Sequence, residues 1–370
     1  MPERDGSHGD TGPGRDVRAD TVGLPPARRR LGRQARLVRR AVRHPTAVPR
    51  RIRWIASPRV AYLDLRHDES RAVLLASSGR SGSTWLSEML VQAFACRVLF
   101  EPWRSRQGRP HGAPEWGYYV DRGAHDPALT TALRRTFAGR LRSRWVDQDN
   151  AVRLPRRRLV KEIRTTNLLP WVAARFPDLP MLFLMRHPVA VARSATDLGW
   201  DPGLGHYLTQ ADLMNGPMSP FADLLAERAG SADLFEQHVL RWCLENLVPV
   251  SLLSPGTALV VFYESLRRDP ALEFRRVADY VSRSSRGRWP FDPGRPVAFD
   301  RVSLTDYRGS AVASGRDGTD RWPDEVASGD VDRAVELLAA FGLDRIYDRT
   351  PTPRLHPDDV LLGAADPPTS

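Results

Sequence analysis

The chain has 370 residues with 41% apolar composition, enough for one large domain or two ordinary ones around a substantial core, so a wholly disordered chain is excluded. Its formal charge of +11 invites a nucleic-acid reading, but twelve arginines and no acid fall between Thr21 and Leu63, which leaves 11 − 12 = −1 for the rest. The folded body is near neutral and no nucleic-acid partner is expected.

In chain order, residues 1–25 carry Gly, Pro, Asp and Arg without apolar periodicity and read as disordered. Together with the arginine-rich, partly helical stretch that follows, residues 1–57 form a basic arm whose charge is either simply solvated or available for an anionic surface or partner. Residues 58–350 read as the folded domain and residues 351–370 as a flexible C-terminal tail. The two cysteines, Cys96 and Cys243, lie far apart in apolar, helix-like stretches and read as packed thiols of a reducing interior. No run of about 18 apolar residues appears. The expectation is a cytoplasmic protein, with peripheral membrane contact as one use of the arm.

Within the domain, Ala72–Ser78 is a short apolar run of buried-strand type, and Trp85, Leu86, Met89, Leu90 and Phe94 then recur at helical spacing. The alternation returns with Leu159–Arg164 as strand, Leu168–Phe176 as helix, Met181–Met185 as strand and Val189–Asp197 as helix. Ala232–Leu253 reads as a long helix and Ala258–Tyr263 as a further strand. This pattern predicts an α/β fold with a central, mainly parallel sheet flanked by helices in three layers. Residues 201–230 and 283–330, rich in Gly, Pro and Asp, read as long loops over the active face.

The segment Ser77-Ser78-Gly79-Arg80-Ser81-Gly82-Ser83-Thr84-Trp85 links a strand to a helix, the setting that an anion cradle needs. Gly79 and Gly82 permit a tight turn with exposed N–H groups, Ser81, Ser83 and Thr84 add hydroxyls, and Arg80 adds charge. A serine-rich turn with a helix cap is the plainer alternative. A nucleoside-triphosphate loop would need G-x-x-x-x-G-K-[ST], but these glycines are three apart and no lysine follows. The loop resembles the 5′-phosphosulfate loop of sulfotransferases that use PAPS (3′-phosphoadenosine 5′-phosphosulfate). Its arginine at position 80 is in the style of the carbohydrate branch.

A second segment carries the same resemblance. Met181–Met185 delivers Arg186 to a strand end, His187-Pro188 opens a helix, and Ser194 follows two turns on. The similar family pattern, strand-R-[DH]-P-x-x-x-x-x-S, implies that Arg186 and Ser194 hold the 3′-phosphate. Val261-Phe262-Tyr263-Glu264-Ser265-Leu266 with Arg268-Asp269-Pro270 resembles a structural corner of the family. Leu240–Asn246 resembles its central helix, and Gly315–Trp322 resembles its mobile loop, which puts Arg316 on the 3′-phosphate. The resemblance covers roughly residues 72–347. It implies a P-loop-like fold, PAPS as donor co-substrate, adenosine 3′,5′-bisphosphate as product, no required metal, and a hydroxylated acceptor such as a saccharide, glycolipid or other natural product.

Lys161 is the only lysine in a chain otherwise supplied with arginine, and it sits on a predicted central strand, where a compact point charge is the functional reading and an inconsequential surface lysine the other. Its segment resembles the K-x-x-R strand of sulfotransferases, with Arg164 as the second cation. The histidine that cytosolic members place two residues after the lysine is Ile163 here. Leu99-Phe100-Glu101-Pro102 resembles the F-E-P segment of the carbohydrate branch, which makes Glu101 the candidate general base, with Glu162, His111 and His206 as rivals. The catalytic set is therefore Glu101, Lys161 and Arg80, and the donor-binding set Gly79, Arg80, Ser81, Gly82, Ser83, Thr84, Arg186, Ser194 and Arg316. Two other classes stay open at this point: a nucleotide kinase, and a non-enzymatic binder working through the arm.

Overall fold

The computed structural model describes residues 57–104, 112, 114–231, 233–299 and 322–363. The apolar run after Arg71 forms β1 (Ala72–Ser77), buried along its whole length. Burial on both faces is what a central parallel strand requires, because crossover helices cover each side. Four more strands follow: β2 (Arg97–Phe100), β3 (Arg158–Glu162), β4 (Met181–Met185) and β5 (Leu259–Phe262). The sheet order is β2-β3-β1-β4-β5 and every pair is parallel. Leu75 pairs with Lys161 on one side of β1 and Leu182 on the other.

The helices that cover this sheet are α1 (Ser83–Phe94), α2 (Pro127–Phe137), α3 (Leu169–Arg175), α4 (Pro188–Asp197), α5 (Leu234–Leu252), α6 (Pro270–Ser284) and α7 (Ser328–Ala340). Strand residues alternate between the two faces. Val73, Leu75, Leu182, Leu184 and Val261 pack against Leu86, Met89 and Leu90 of α1 and Phe274 and Val277 of α6. Leu74, Val160, Phe183 and Met185 face Trp171 of α3 and Leu240, Trp242 and Leu244 of α5. The result is the three-layer, P-loop-like α/β fold. Because the helix after β1 takes one face and those after β3 and β4 the other, a crevice opens at the carboxyl ends of the strands beside β1.

Helix α5 runs through the middle of one layer and is buried over most of its surface. The Asp233 side chain caps it, accepting from the N–H groups of Phe235 and Glu236. At the amino ends of β2 and β3, Arg97 and Arg158 stand side by side in the register. Asp64 takes two hydrogen bonds from Arg158, at 2.9 and 2.6 Å. Arg97 donates to Asp147 at 2.9 Å and to the Gly139 carbonyl at 2.7 Å. All four charged groups are buried, and they clamp the segment before β1 onto the sheet.

Two expectations change here. Residues 201–230 are not plain loop: short helices form at Gly205–Leu208, Ala211–Asn215 and Ala222–Arg228. Residues 351–363, expected to trail as the start of a flexible tail, are docked. The N–H groups of Leu362 and Gly363 donate to the carbonyls of Val250 and Leu253 at 2.9 Å each, and Val360 and Leu361 are buried in the core. The basic arm up to residue 56, His111 and Arg316 lie outside the described residues. No helix among the described residues is long and apolar enough to cross a membrane.

Candidate active site

The carboxyl end of β1 runs into the Gly79–Thr84 loop. Arg80 and Gly82 both adopt positive φ, 70° and 89°. That is costly for arginine and free for glycine, so the loop stores backbone strain at its one charged residue. At Gly82 a side chain is excluded as well, because a Cβ there would lie 2.4 Å from the Tyr263 ring. Gly82 is the N-cap of α1 and provides no side-chain cap, which leaves the first N–H groups of the helix to an anion. The Ser81 hydroxyl is buried without a hydrogen-bond partner.

The second sequence motif meets this loop. Arg80 Nε donates to Ser194 Oγ at 3.0 Å, and Arg186 Nη1 donates to the Arg80 carbonyl at 3.1 Å. The Arg186 guanidinium also lies over the Tyr263 ring, 4.4 Å from its centre, while its Nε is buried and unpartnered. Residues from β1, β4, α4 and the end of β5 thus converge on one spot. His187 of the second motif is framework: it is fully buried, donates its N–H to Glu264 at 2.8 Å and stacks on Trp322. Burial pushes its pKa down to about 4, so the ring stays neutral and structural.

A separate cluster forms at the ends of β2 and β3. The Glu101 carboxylate is buried and touches three cations: Arg164 Nη1 at 2.6 Å, Arg104 at 3.7 Å and Lys161 Nζ at 3.8 Å. Its own backbone has φ 39°, a strained value that turns the chain off β2. Lys161 is 2% exposed, and its ammonium faces the Phe100 ring at 4.2 Å. Burial pushes its pKa below the ordinary lysine value, with Glu101 opposing the shift. Glu162, on the other face of β3, accepts from the N–H groups of Trp103 and Ile163, and burial raises its pKa to about 7. His206 is exposed and stacks on Trp116.

Gly79 lies between the loop and the end of β3: a Cβ there would meet Trp200 at 3.1 Å, Ile163 at 3.8 Å and Arg241 Nη2 at 3.9 Å. Beyond Arg241 a chain of contacts returns to Glu101. Arg241 pairs with Glu245 at 3.7 Å, Tyr207 donates to Glu245 at 2.7 Å, Trp116 donates to Tyr207 at 2.9 Å, and Arg164 lies over Trp116. Among the described residues no three His, Cys, Asp or Glu side chains converge on a metal position.

The model of the sulfotransferase family matches residues 73–284, which is 212 of the 370 positions and includes the loop, Glu101, Lys161, Arg186 and Ser194. The chain belongs to the sulfotransferase family. Comparison with curated proteins returns no match. Among solved structures, the sulfotransferase domain of the Synechococcus PCC 7002 olefin synthase is 16% identical, with 72% of this chain and 94% of that chain covered at a TM-score of 0.36. Mouse sulfotransferase SULT7A1 complexed with PAP is 15% identical, with 75% and 84% covered and a TM-score of 0.32. A sulfotransferase from Alicyclobacillus acidocaldarius is 15% identical, with 73% and 95% covered and a TM-score of 0.29. These overlaps are too loose to transfer a residue role, and membership rests on the family match.

Reading the sequence of this sulfotransferase picked out the loop, Arg186, Ser194, Glu101, Lys161 and Arg164. It missed Trp200 and Arg241, which flank Gly79, and the ring of Tyr263, which sets the need for Gly82. An arginine and a glutamate four apart on a helix read as a solvated pair. The available signal for Arg241 was its position among the apolar residues Val239, Leu240, Trp242, Cys243 and Leu244.

Proposed function

We propose that the chain moves the sulfuryl group of PAPS to an acceptor hydroxyl, leaving adenosine 3′,5′-bisphosphate. The observation that carries this is the joining of Arg80, Ser194 and Arg186 at the Gly79–Thr84 loop, which gives one cradle two anion-binding ends. The uncapped start of α1 and the unpartnered Ser81 Oγ and Arg186 Nε fit a polyanionic nucleotide in that cradle.

In this reading the loop N–H groups, Ser81, Ser83, Thr84 and Arg80 bind the 5′-phosphosulfate, and Arg186 with Ser194 binds the 3′-phosphate. The acceptor oxygen forms its bond to sulfur as the bridging S–O bond breaks, and that electron pair passes to the 5′-phosphate oxygen. Positive charge from Lys161, with Arg164 beside it, offsets the charge developing there. The acceptor proton goes to Glu101, whose carboxylate Arg164 orients. Sulfuryl transfer asks for alignment and fixed charge, so protein groups suffice for every step named. The acceptor class is a saccharide, a glycolipid or another hydroxylated natural product, on the strength of Glu101 and Arg80 standing where the carbohydrate branch has its glutamate and arginine. A cytoplasmic location goes with it, and contact of residues 1–57 with an anionic surface is a separate function of the arm.

The test incubates the purified chain with PAPS and a panel of hydroxylated acceptors and follows products by mass spectrometry. Gain of one SO₃ on an acceptor, with stoichiometric adenosine 3′,5′-bisphosphate, is the expected result. Magnesium-dependent use of ATP, without binding of the bisphosphate, would replace this reading with a kinase.

A further inference from the structure

Arg241 lies in the stretch that resembles the family's central helix and has no role assigned to it above, yet it is a buried cation beside the start of the loop. It is 1% exposed, and its Nε and Nη2 have no hydrogen-bond partner. Glu245 Oε1 is 3.7 Å from Nε, close enough to hold the charge but beyond a hydrogen bond, and that oxygen already accepts from Tyr207. Two unpartnered nitrogens on a buried guanidinium, with three N–H groups between them, are costly unless a ligand supplies acceptors.

The direction of the side chain is fixed by its neighbours. Nη2 is 3.9 Å from the point where Gly79 would carry a Cβ, an ordinary contact distance that sets the guanidinium beside the loop, while the Trp200 ring at 3.1 Å is what crowds that point. One turn along α5, Asn246 donates to Ser78 Oγ at 3.0 Å and locks the helix to the foot of the loop. Tyr207 and Glu245 brace the arginine from behind. Arg80 leaves the loop towards Ser194, on the Arg186 side, whereas Gly79 faces Ile163 and hence β3.

We infer that Arg241 is a further catalytic residue, donating to the oxygens of the sulfuryl group at the Gly79 end of the cradle. The inference rests on PAPS being the donor. Among the described residues no hydrogen bond or ion pair joins the Arg241 side chain to Arg186 or Ser194, so Arg241 serves the 5′-phosphosulfate end. Of the groups at that end only the sulfuryl group is missing from the bisphosphate, so comparing the two nucleotides isolates it.

Calorimetric titration of PAPS and of adenosine 3′,5′-bisphosphate into parent, Arg241→Gln and Arg241→Lys, with steady-state rates for each, provides the test. The expected result is unchanged bisphosphate affinity in both variants. Arg241→Gln should weaken PAPS binding or turnover by about tenfold to a hundredfold, the loss of one charge-assisted hydrogen bond, and Arg241→Lys should recover part of it. Equal weakening of both nucleotides, no change for PAPS, or a rise confined to the acceptor KM would each overturn the inference. A Gln variant that does not fold leaves the decision to the Lys variant on the same readout. Failure of the parent to bind either nucleotide would instead remove the donor assignment beneath it.

Discussion

Both ends of the sheet bury arginines, and they bury them differently. At the amino ends of β2 and β3, the side chains of Arg97 and Arg158 are closed by Asp64, Asp147 and backbone carbonyls, including those of Leu141 and Arg66. At the carboxyl ends, the half-buried Arg186 keeps an unmet Nε and the buried Arg241 keeps an unmet Nε and Nη2. The residue type is the same, so burial of charge does not by itself mark a site. For these four arginines the state of the hydrogen bonds separates the two ends: Arg97 and Arg158 are closed by partners within the fold, and Arg186 and Arg241 keep donors for a ligand.

The strongest way to break that distinction is at the saturated end. Arg97→Ala leaves the carboxylate of Asp147 short of its main partner and opens a void beside Tyr62, whose ring faces the guanidinium. Removing one member of a buried ion pair costs about 3–5 kcal/mol, so chemical denaturation should show a loss of that size. Bisphosphate affinity measured on the folded fraction should stay within about twofold, because no atom of the cradle has moved. A variant of normal stability and poor nucleotide affinity would erase the contrast between the two ends.

At the unsaturated end the largest effect should fall on turnover. Lys161→Ala removes the compact charge proposed to stabilise the leaving oxygen, and loss of one such donor costs on the order of 10²–10³ in rate. Donor affinity, measured by displacement of the bisphosphate, should change far less. The result to watch for is turnover equal to the parent's, which would confine Lys161 to neutralising Glu101 at 3.8 Å.

Sequence and structure agree best where a single segment carries its own instruction. The runs Ala72–Ser77 and Met181–Met185 are apolar enough to be parallel strands in any arrangement, and the loop and Arg186 follow from them. What could not be read depends on pieces meeting. Lys161 and Glu101 face each other because Phe100 pairs with Lys161 in the β2–β3 register, which no local pattern encodes. Arg241 reaches Gly79 through the placement of α5. The docking of Val360 and Leu361 was hidden by the prolines and aspartates before them, whose composition reads as tail while two apolar residues settle the matter. In 205–228, short helices form despite Gly and Pro because Tyr207, Leu213 and Leu225 are drawn into the core.

Acids sharpen the comparison with a smaller effect, and here the sign is informative. Glu162, at the carboxyl end of β3, accepts two backbone N–H bonds but has no cation at bonding distance, and burial raises its pKa from 4.5 to about 7. A raised carboxyl pKa means that the folded state holds a proton that the unfolded chain releases. Its contribution to stability is therefore full below about pH 4.5 and is lost as pH climbs through 7. Integrated over pH 5 to 7, that loss is about 2 kcal/mol. His187, with its pKa pushed down to about 4, has the opposite slope: stability falls as pH drops from 6.5 towards 4. His238, also pushed down to about 4 by burial, shares that slope, so the parent's profile sums opposing trends. Glu162→Gln removes one and leaves the others. The variant should therefore gain about 2 kcal/mol on the parent between pH 5 and pH 7, read as the difference between paired urea melts. A constant difference across that range would mean that Glu162 stays ionised, with its carboxylate compensated as fully as Asp64 is at the opposite end of the sheet.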